Sequence, residues 1–423
     1  MWLVVCSGFL QVFFGGMSMR SVELFAGAGG LAMGCEIAGF EHLAVVEWDK
    51  WACDTVRENR KLGYPLVADW TLHEGDVRTF DWSSIPEGID LLAGGPPCQP
   101  FSIGGKHQAY DDSRDMFPAT VDIIRRLKPK AFIVENVKGL TRAAFANYYQ
   151  YILLQLEFPE LPHRQNEAWD EHFMRLQAEH TSGKRKGRGL TYNVVPTLVN
   201  AADYGVPQKR ERVFIVGFRD DLGIEWSFPK ATHSYDALLH SQYVSGKYWE
   251  RHGMEKPAVP EKLASRVRKL RDSILPMDTQ PWRTVRDAIC DLPDPESKAA
   301  LKISNHVFQG GARSYPGHTG SPLDLPAKTL KAGDHGVPGG ENMLVKEDGS
   351  VRYFTVRESA RIQTFPDGFK FHGSWTETMR QLGNAVPVLL AQQVASSVAE
   401  RLIVAELDKV QKASGNKKGK IVA

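Results

Sequence analysis

The sequence predicts an α/β fold built on a mostly parallel β-sheet, followed by a second, smaller and irregular domain. Two observations carry this. From Arg20 to about Phe218, short apolar runs alternate with helix-like segments, and strands alternating with helices need crossovers that set the strands parallel and cover both sheet faces. From about Arg219 to Arg352 the character changes: Pro and Gly punctuate the chain, helical periodicity is brief, and His, Trp and Tyr are scattered through it.

The elements follow in order. Residues 1–19, MWLVVCSGFLQVFFGGMSM, are apolar, but no Lys or Arg precedes the run. A signal peptide wants a positive start, and a bilayer span needs ~20 apolar residues. The expectation is a start placed too early, with Met17 or Met19 as the first residue. SVELF then reads as a strand and AGAGGLAMGCEIAGF as a Gly-rich turn opening a helix. HLAVVEW is a second strand, KWACDTVRENR a second helix, and IDLLAGG, AFIVEN and RVFIVGF are further buried strands. Between Glu157 and Leu190 the pattern weakens and ends in HTSGKRKGRG, an exposed basic loop. Within the irregular stretch, KLASRVRKLR carries five basic residues in ten and no acid. On a helix these make either a stripe suited to phosphates or a solvated face. Thr355, three residues before Glu358, has capping-box spacing. The long helix AVPVLLAQQVASSVAERLIVAEL has an apolar stripe that should pack on the first domain. The expected divisions are 20–218, 219–352, 353–410 returning to the first domain, and a disordered tail from 411.

Composition narrows the class. Apolar residues are 42% and charged residues 24% of 423, which excludes a disordered chain or a disulfide scaffold. The net charge of +2 leaves no bulk positive field, so a nucleic-acid surface must be a local patch. Cys6, Cys35, Cys53, Cys98 and Cys290 are scattered without a Cys-x-x-Cys pair, which suggests no zinc site and fits a reducing, cytoplasmic setting.

Three constellations carry chemistry. In ELFAGAGG, Gly27, Gly29 and Gly30 let the backbone approach a ligand closely. A carboxylate at Glu47, closing the second strand, suits ribose hydroxyls; Trp48 suits an adenine face, and Asp76 in GDV suits an adenine amino group. These are the needs of an adenosine-bearing cofactor, and a dinucleotide-binding dehydrogenase shares them. In GGPPCQPFS, two prolines stiffen the chain before Cys98 at the carboxyl end of a strand, a setting for a nucleophile rather than a core filler. Glu135 and Asn136 end another buried strand. Gln208, Arg210 and Arg212 alternate on entering the next, so period two puts them on one face.

Together these motifs resemble the DNA (cytosine-5) methyltransferase family. ELFAGAGG resembles its S-adenosylmethionine motif and GGPPCQPFS its nucleophile motif. ENV, QKRER, RYFTVRESARIQTFPDGF and GNAVP follow in family order, spanning residues 21 to 400. The irregular stretch falls where the family keeps its variable target-recognition domain, and LPAKTL resembles its Thr-Leu signature. The dehydrogenase reading explains none of the motifs after Glu47.

The resemblance implies a Rossmann-like, S-adenosylmethionine-dependent methyltransferase fold. It implies that Phe25, Gly27, Gly30, Glu47, Trp48, Asp76, Pro97, Asn384 and Val386 line the cofactor site. Cys98 is then the nucleophile, Glu135 the carboxyl group at cytosine N3 and the exocyclic amine, and Arg212 the donor to O2. Arg210 and Gln208 support that shell, and Gln99, Ser102, Gln208 and Thr329 face the substrate. Met116 stands as an apolar wall of the cofactor site, although DSRDMF is one residue shorter than the family's usual spacing. The implied partner is double-stranded DNA, with a restriction endonuclease acting on the same site and a monomeric enzyme. No cluster with metal-ligand spacing is present in the sequence. A burial-raised, protonated Glu135 and the Arg212 guanidinium would stabilise charge that builds on the base as a thiolate adds to C6. C6 is reachable only in a flipped base. Two rivals stand beside this reading. One is a transfer-RNA enzyme, whose branch usually carries a Cys-Phe-Thr tripeptide that is absent here. The other is a catalytically dead DNA-binding module.

Overall fold

A computed structural model describes residues 18–97, 115–183, 188–273, 277–332 and 340–418. Residues 1–17, where the early start is expected, lie outside the described residues. The chain runs β1 (Met19–Leu24), α1 (Gly30–Ile37), β2 (Phe40–Glu47), α2 (Lys50–Lys61), β3 (Leu72–Glu74), β4 (Leu91–Gly94), α3 (Phe117–Leu127), β5 (Ala131–Val137), α4 (Ala146–Glu157), α5 (Trp169–Ser182), β6 (Tyr192–Asn200) and β7 (Glu211–Arg219). The seven strands lie in the order β3-β2-β1-β4-β5-β7-β6. β1 to β5 pair parallel, and β7 runs antiparallel to β5. Val22, Leu24, Val45, Val46, Leu91, Leu92, Phe132 and Ile133 are wholly buried, as strands covered on both faces must be. The order reverses between β1 and β4, where open α/β sheets place their ligands, beyond the carboxyl ends of the strands.

Asp49 starts α2 by accepting the Ala52 N–H, and Pro118 sits in the first turn of α3. The weak pattern after Glu157 conceals α5. Its Trp169, His172 and Phe173 rings pack on Tyr151 of α4. The first residues of the expected loop, His180–Ser182, belong to α5, and residues 184–187 lie outside the described residues.

Contacts divide the chain into two units: residues 1–199, 211–229 and 391–423, and residues 200–210 and 230–390. The second unit holds β8 (His233–Ser234), α6 (Tyr235–Leu239), α7 (Lys247–Arg251), α8 (Glu261–Asp272), β9 (Gln280–Pro281), α9 (Val285–Ile289), β10 (Ser321–Pro322), β11 (Met343–Val345), β12 (Val351–Tyr353), α10 (Val356–Ile362) and α11 (Trp375–Asn384). The boundary expected at 353 is displaced: residues 353–390 stay with the second unit. The reason is packing, since Phe354 and Ile362 share one apolar cluster with Val285, Ile289, Leu330 and Leu344. The capping box at Thr355 and Glu358 is present.

The chain re-enters the first unit through α12 (Val388–Lys418). Val394, Ala395 and Val398 are wholly buried. A Cβ on Gly34 of α1 would lie 2.4 Å from the Ala391 Cβ, and Trp226 donates to Ser397 Oγ at 3.2 Å. The helix runs to Lys418, past the expected tail start at 411. Among the described residues, only the stretch Trp375–Lys412 is long and apolar enough to cross a membrane, and 44% of its apolar window is buried inside the protein.

Candidate active site

In the first unit, the turn after β1 is built from left-handed residues: Phe25 at φ 55°, Gly27 at 54° and Gly29 at 90°. A non-glycine residue there, at a strand end, is held by its surroundings. A side chain on Gly29 would lie 2.7 Å from the Trp70 ring. A side chain on Gly27 would meet nothing within 4 Å, so this backbone borders open space. Glu47, at the end of the neighbouring strand, is buried. Its carboxylate accepts the N–H groups of Gly27 at 2.6 Å, Trp48 at 2.8 Å and Asp49 at 2.7 Å. Burial nevertheless leaves its pKa above the ordinary carboxylate value. Trp48 is 68% exposed. Gly75 N–H donates to the Glu47 carbonyl at 2.8 Å, which brings Asp76 next to this end. The Asp76 carboxylate is occupied by the Arg78 guanidinium, with Nε 3.0 Å from each oxygen. That pairing holds its pKa low.

The second centre lies at the ends of β4 and β5. Glu135 pairs in register with Phe214, and Val137 with Arg212, so Glu135 and Arg212 meet diagonally on one sheet face. Arg212 Nε lies 2.9 Å from Glu135 Oε1, both side chains largely buried. Burial lowers the Arg212 pKa despite the carboxylate beside it. A side chain on Gly95 would lie 3.2 Å from Glu135 Oε2, so a glycine there gives the carboxyl group room. Asn136 donates from Nδ2 to the Pro96 carbonyl at 2.9 Å, and Met116 N–H lies 3.4 Å from the Pro97 carbonyl. The prolines before Cys98 are thus tied to β5, and the residues flanking the 98–114 segment meet. Met116 is buried in the main core. Cys98, Gln99 and Ser102 lie outside the described residues.

The alternation at QKRER does not deliver three side chains to one face. β7 begins at Glu211, so only Arg212 obeys the strand period. In the second unit, Gln208 and Arg210 are wholly buried. Arg210 donates to the carbonyls of Leu330 at 3.2 Å and Gly383 at 2.8 Å. Gln208 donates to Gln363 Oε1 at 3.0 Å and accepts the Leu330 N–H at 3.0 Å. These two residues brace LPAKTL and GNAVP, and the substrate contact expected of Gln208 is replaced by a buried amide network. Thr329 donates to the Lys209 carbonyl at 2.7 Å. Asn384 is exposed at the end of α11 and Val386 is buried.

Sequence reasoning missed Gln363, whose amide also donates to the Ala385 carbonyl at 3.3 Å, and Trp70, which has no local signal. Among the described residues, His163, Glu167 and His172 bring ligand-type atoms within 4.8 Å of one another. They are already engaged. His172 bonds Tyr151 and the Leu161 carbonyl at 2.7 Å each, and Glu167 takes Arg175 at 2.7 and 2.8 Å.

A sheet with an antiparallel β7 and a Gly-rich turn opposite a strand-end carboxylate defines an α/β methyltransferase fold. The chain belongs to the C-5 cytosine-specific DNA methylase family, whose model matches residues 19–159 and 184–400. The unmatched interval holds α5. The type II methyltransferase M.PspPI of Psychrobacter sp. is 32% identical over 393 residues, covering 92% of this chain and 81% of that protein. M.NgoMIV of Neisseria gonorrhoeae is 31% identical, covering 91% and 99%. In fold, the chain resembles the Dnmt2 methyltransferase of S. pombe, with a TM-score of 0.52 at 16% identity, covering 91% and 99%. A prophage-encoded DNA modification methyltransferase of E. coli gives 0.52 at 22%, with the same coverage. The chain is accordingly a DNA cytosine-5 methyltransferase.

Proposed function

We propose that the chain methylates C5 of a flipped-out cytosine within one short duplex sequence, using S-adenosylmethionine held at the Phe25–Gly30 turn. The observation that carries this is the Glu135–Arg212 pair, set beside the Gly95–Pro97 turn that leads into Cys98. The open space at Gly27 and the backbone-held Glu47 fit an adenosine-bearing cofactor. Phe25, Gly27, Gly30, Glu47, Trp48, Asp76 and Pro97 would hold it within the first unit. Bound there, it supplies an electrophilic methyl group.

The chain's own residues make C5 reactive. The Cys98 thiolate adds to C6, forming the C6–S bond and moving electron density to O2 and N3. Arg212 donates to O2. Glu135, whose Oε1 lies 2.9 Å from the Arg212 Nε, would carry the proton that is shared with N3 as charge builds there. After methyl transfer, solvent water takes the C5 proton, and the electron pair of that bond re-forms the C5–C6 double bond as the Cys98 thiolate leaves. Extruding the base costs a few kcal/mol.

Expression in a host without cytosine methylation, with bisulfite sequencing of its genome, tests the reading. Methylation at one short motif, absent with Cys98→Ala, supports it. An unmethylated genome despite soluble protein overturns it. A restriction endonuclease acting on the same sequence is the partner this predicts.

A further inference from the structure

The KLASRVRKLR run forms α8 in the second unit. Leu263, Val267 and Leu270 make its inward stripe, with Val267 1% exposed, and the helix packs on residues 240–244. Lys262, Arg266 and Lys269 follow at i, i+4 and i+7, along one edge of that stripe, while Arg268 and Arg271 lie along the other. Among the described residues, Lys262, Lys269, Arg268 and Arg271 have no ion-pair partner. Four cations without an ion-pair partner on one short helix, in a chain whose net charge is +2, form a local positive patch suited to a polyanion.

The two edges differ in their surroundings. Arg266 bonds Asp236 and lies 4.9 Å from the Tyr235 ring centroid. The same ring takes Lys209 Nζ at 5.4 Å, and Lys209 also lies 5.3 Å from Trp282, which packs on Tyr235 at 5.2 Å. The Lys209 carbonyl in turn holds Thr329. One edge of α8 is therefore joined, through an aromatic pair, to the Lys209–Thr329 segment. Among the described residues, the opposite edge has no such connection.

We propose that the Lys262–Arg266–Lys269 edge of α8, continued by Lys209, is a track for the phosphate backbone of duplex DNA. Phosphate contacts position a protein on the duplex without reading sequence. The track thus sets the register in which the rest of the second unit meets the target. This rests on the DNA-methylating reading above.

The test is the salt dependence of binding to a mixed-sequence duplex oligonucleotide, read by fluorescence anisotropy on the full chain. Each neutralised phosphate contributes about 0.9 to the slope of log affinity against log salt. Lys262→Gln with Lys269→Gln should make the slope shallower by about 1.8. S-adenosylmethionine affinity should not change. Arg268→Gln with Arg271→Gln should leave the slope within error of the parent. An unchanged slope in the first pair overturns the proposal, and so does an equal loss in both pairs, which marks a diffuse charge effect. A parent chain that binds duplex with a steep slope but never methylates it overturns the catalytic reading instead. A parent that does not bind duplex overturns both.

Discussion

Two carboxylates close two strands of the same sheet, and they are held in opposite ways. Glu47 takes its donors from the main chain, at Gly27, Trp48 and Asp49. Glu135 takes a side chain, Arg212, across a strand pair. Main-chain donors cannot rotate away without moving the turn, so the Glu47 end is preorganised for a ligand that always looks the same. A guanidinium can exchange partners, so the Glu135 end can change state when a base arrives. One site is rigid and the other convertible, and the predictions below separate them.

The largest effect is expected from Cys98→Ala. Turnover is lost while S-adenosylmethionine binding, measured by calorimetry, stays at the parent level. Loss of both would merge the two ends into one cooperative site. Arg212→Met comes next. It leaves Glu135 buried without its cation and should cost about 3–5 kcal/mol of stability in urea unfolding. Adding Glu135→Gln should return most of that. If the double variant is as unstable as the single one, the pair is not what the two side chains contribute. Glu47→Gln weakens bonds to an ionised acceptor, each worth about 1.5–3 kcal/mol. Cofactor affinity should fall about tenfold or more, at ~1.4 kcal/mol per decade, while turnover at saturating cofactor stays near the parent. A collapse in turnover with affinity intact would reverse the assignment.

The smallest effect concerns the support behind the rigid end. Trp70, packed against Gly29, donates its indole N–H to Glu36 at 3.3 Å. Burial raises the Glu36 carboxyl from 4.5 to about 7. The folded chain therefore holds a proton that the unfolded chain releases, and stability should decline as pH rises from about 4.5 through about 7. Glu36→Gln, which keeps an acceptor for Trp70, should flatten that decline in melting temperature. A parallel decline in both proteins would place the sensitivity elsewhere.

The parts legible in the sequence are those with local causes. Continuous apolar runs announce β1, β2, β4 and β5 because strands covered on both faces leave no polar alternation to read. The left-handed turn at Gly27 and Gly29 is visible because few other residues adopt it cheaply. The α5 helix was hidden because only His172 and Leu176 of its residues are buried, too little for a periodic stripe. The allegiance of residues 353–390 to the second unit was hidden too. It depends on Phe354 and Ile362 meeting Val285 and Leu330, a pairing distant in the chain. At QKRER the residue types pointed to polar work, but the strand period applies only from Glu211. Gln208 and Arg210 therefore turned into braces.

The fit of Gly34 against Ala391 bears on biosynthesis. α1 leaves the ribosome well before the helix that covers it. Between them the whole second unit must be made. Contacts this far apart in sequence form slowly, and apolar surface exposed meanwhile invites aggregation. The first unit of the nascent chain therefore waits, partly uncovered, while the second unit is made. Yield in the cell should accordingly depend on translation speed and chaperone supply more than on the stability of the finished enzyme.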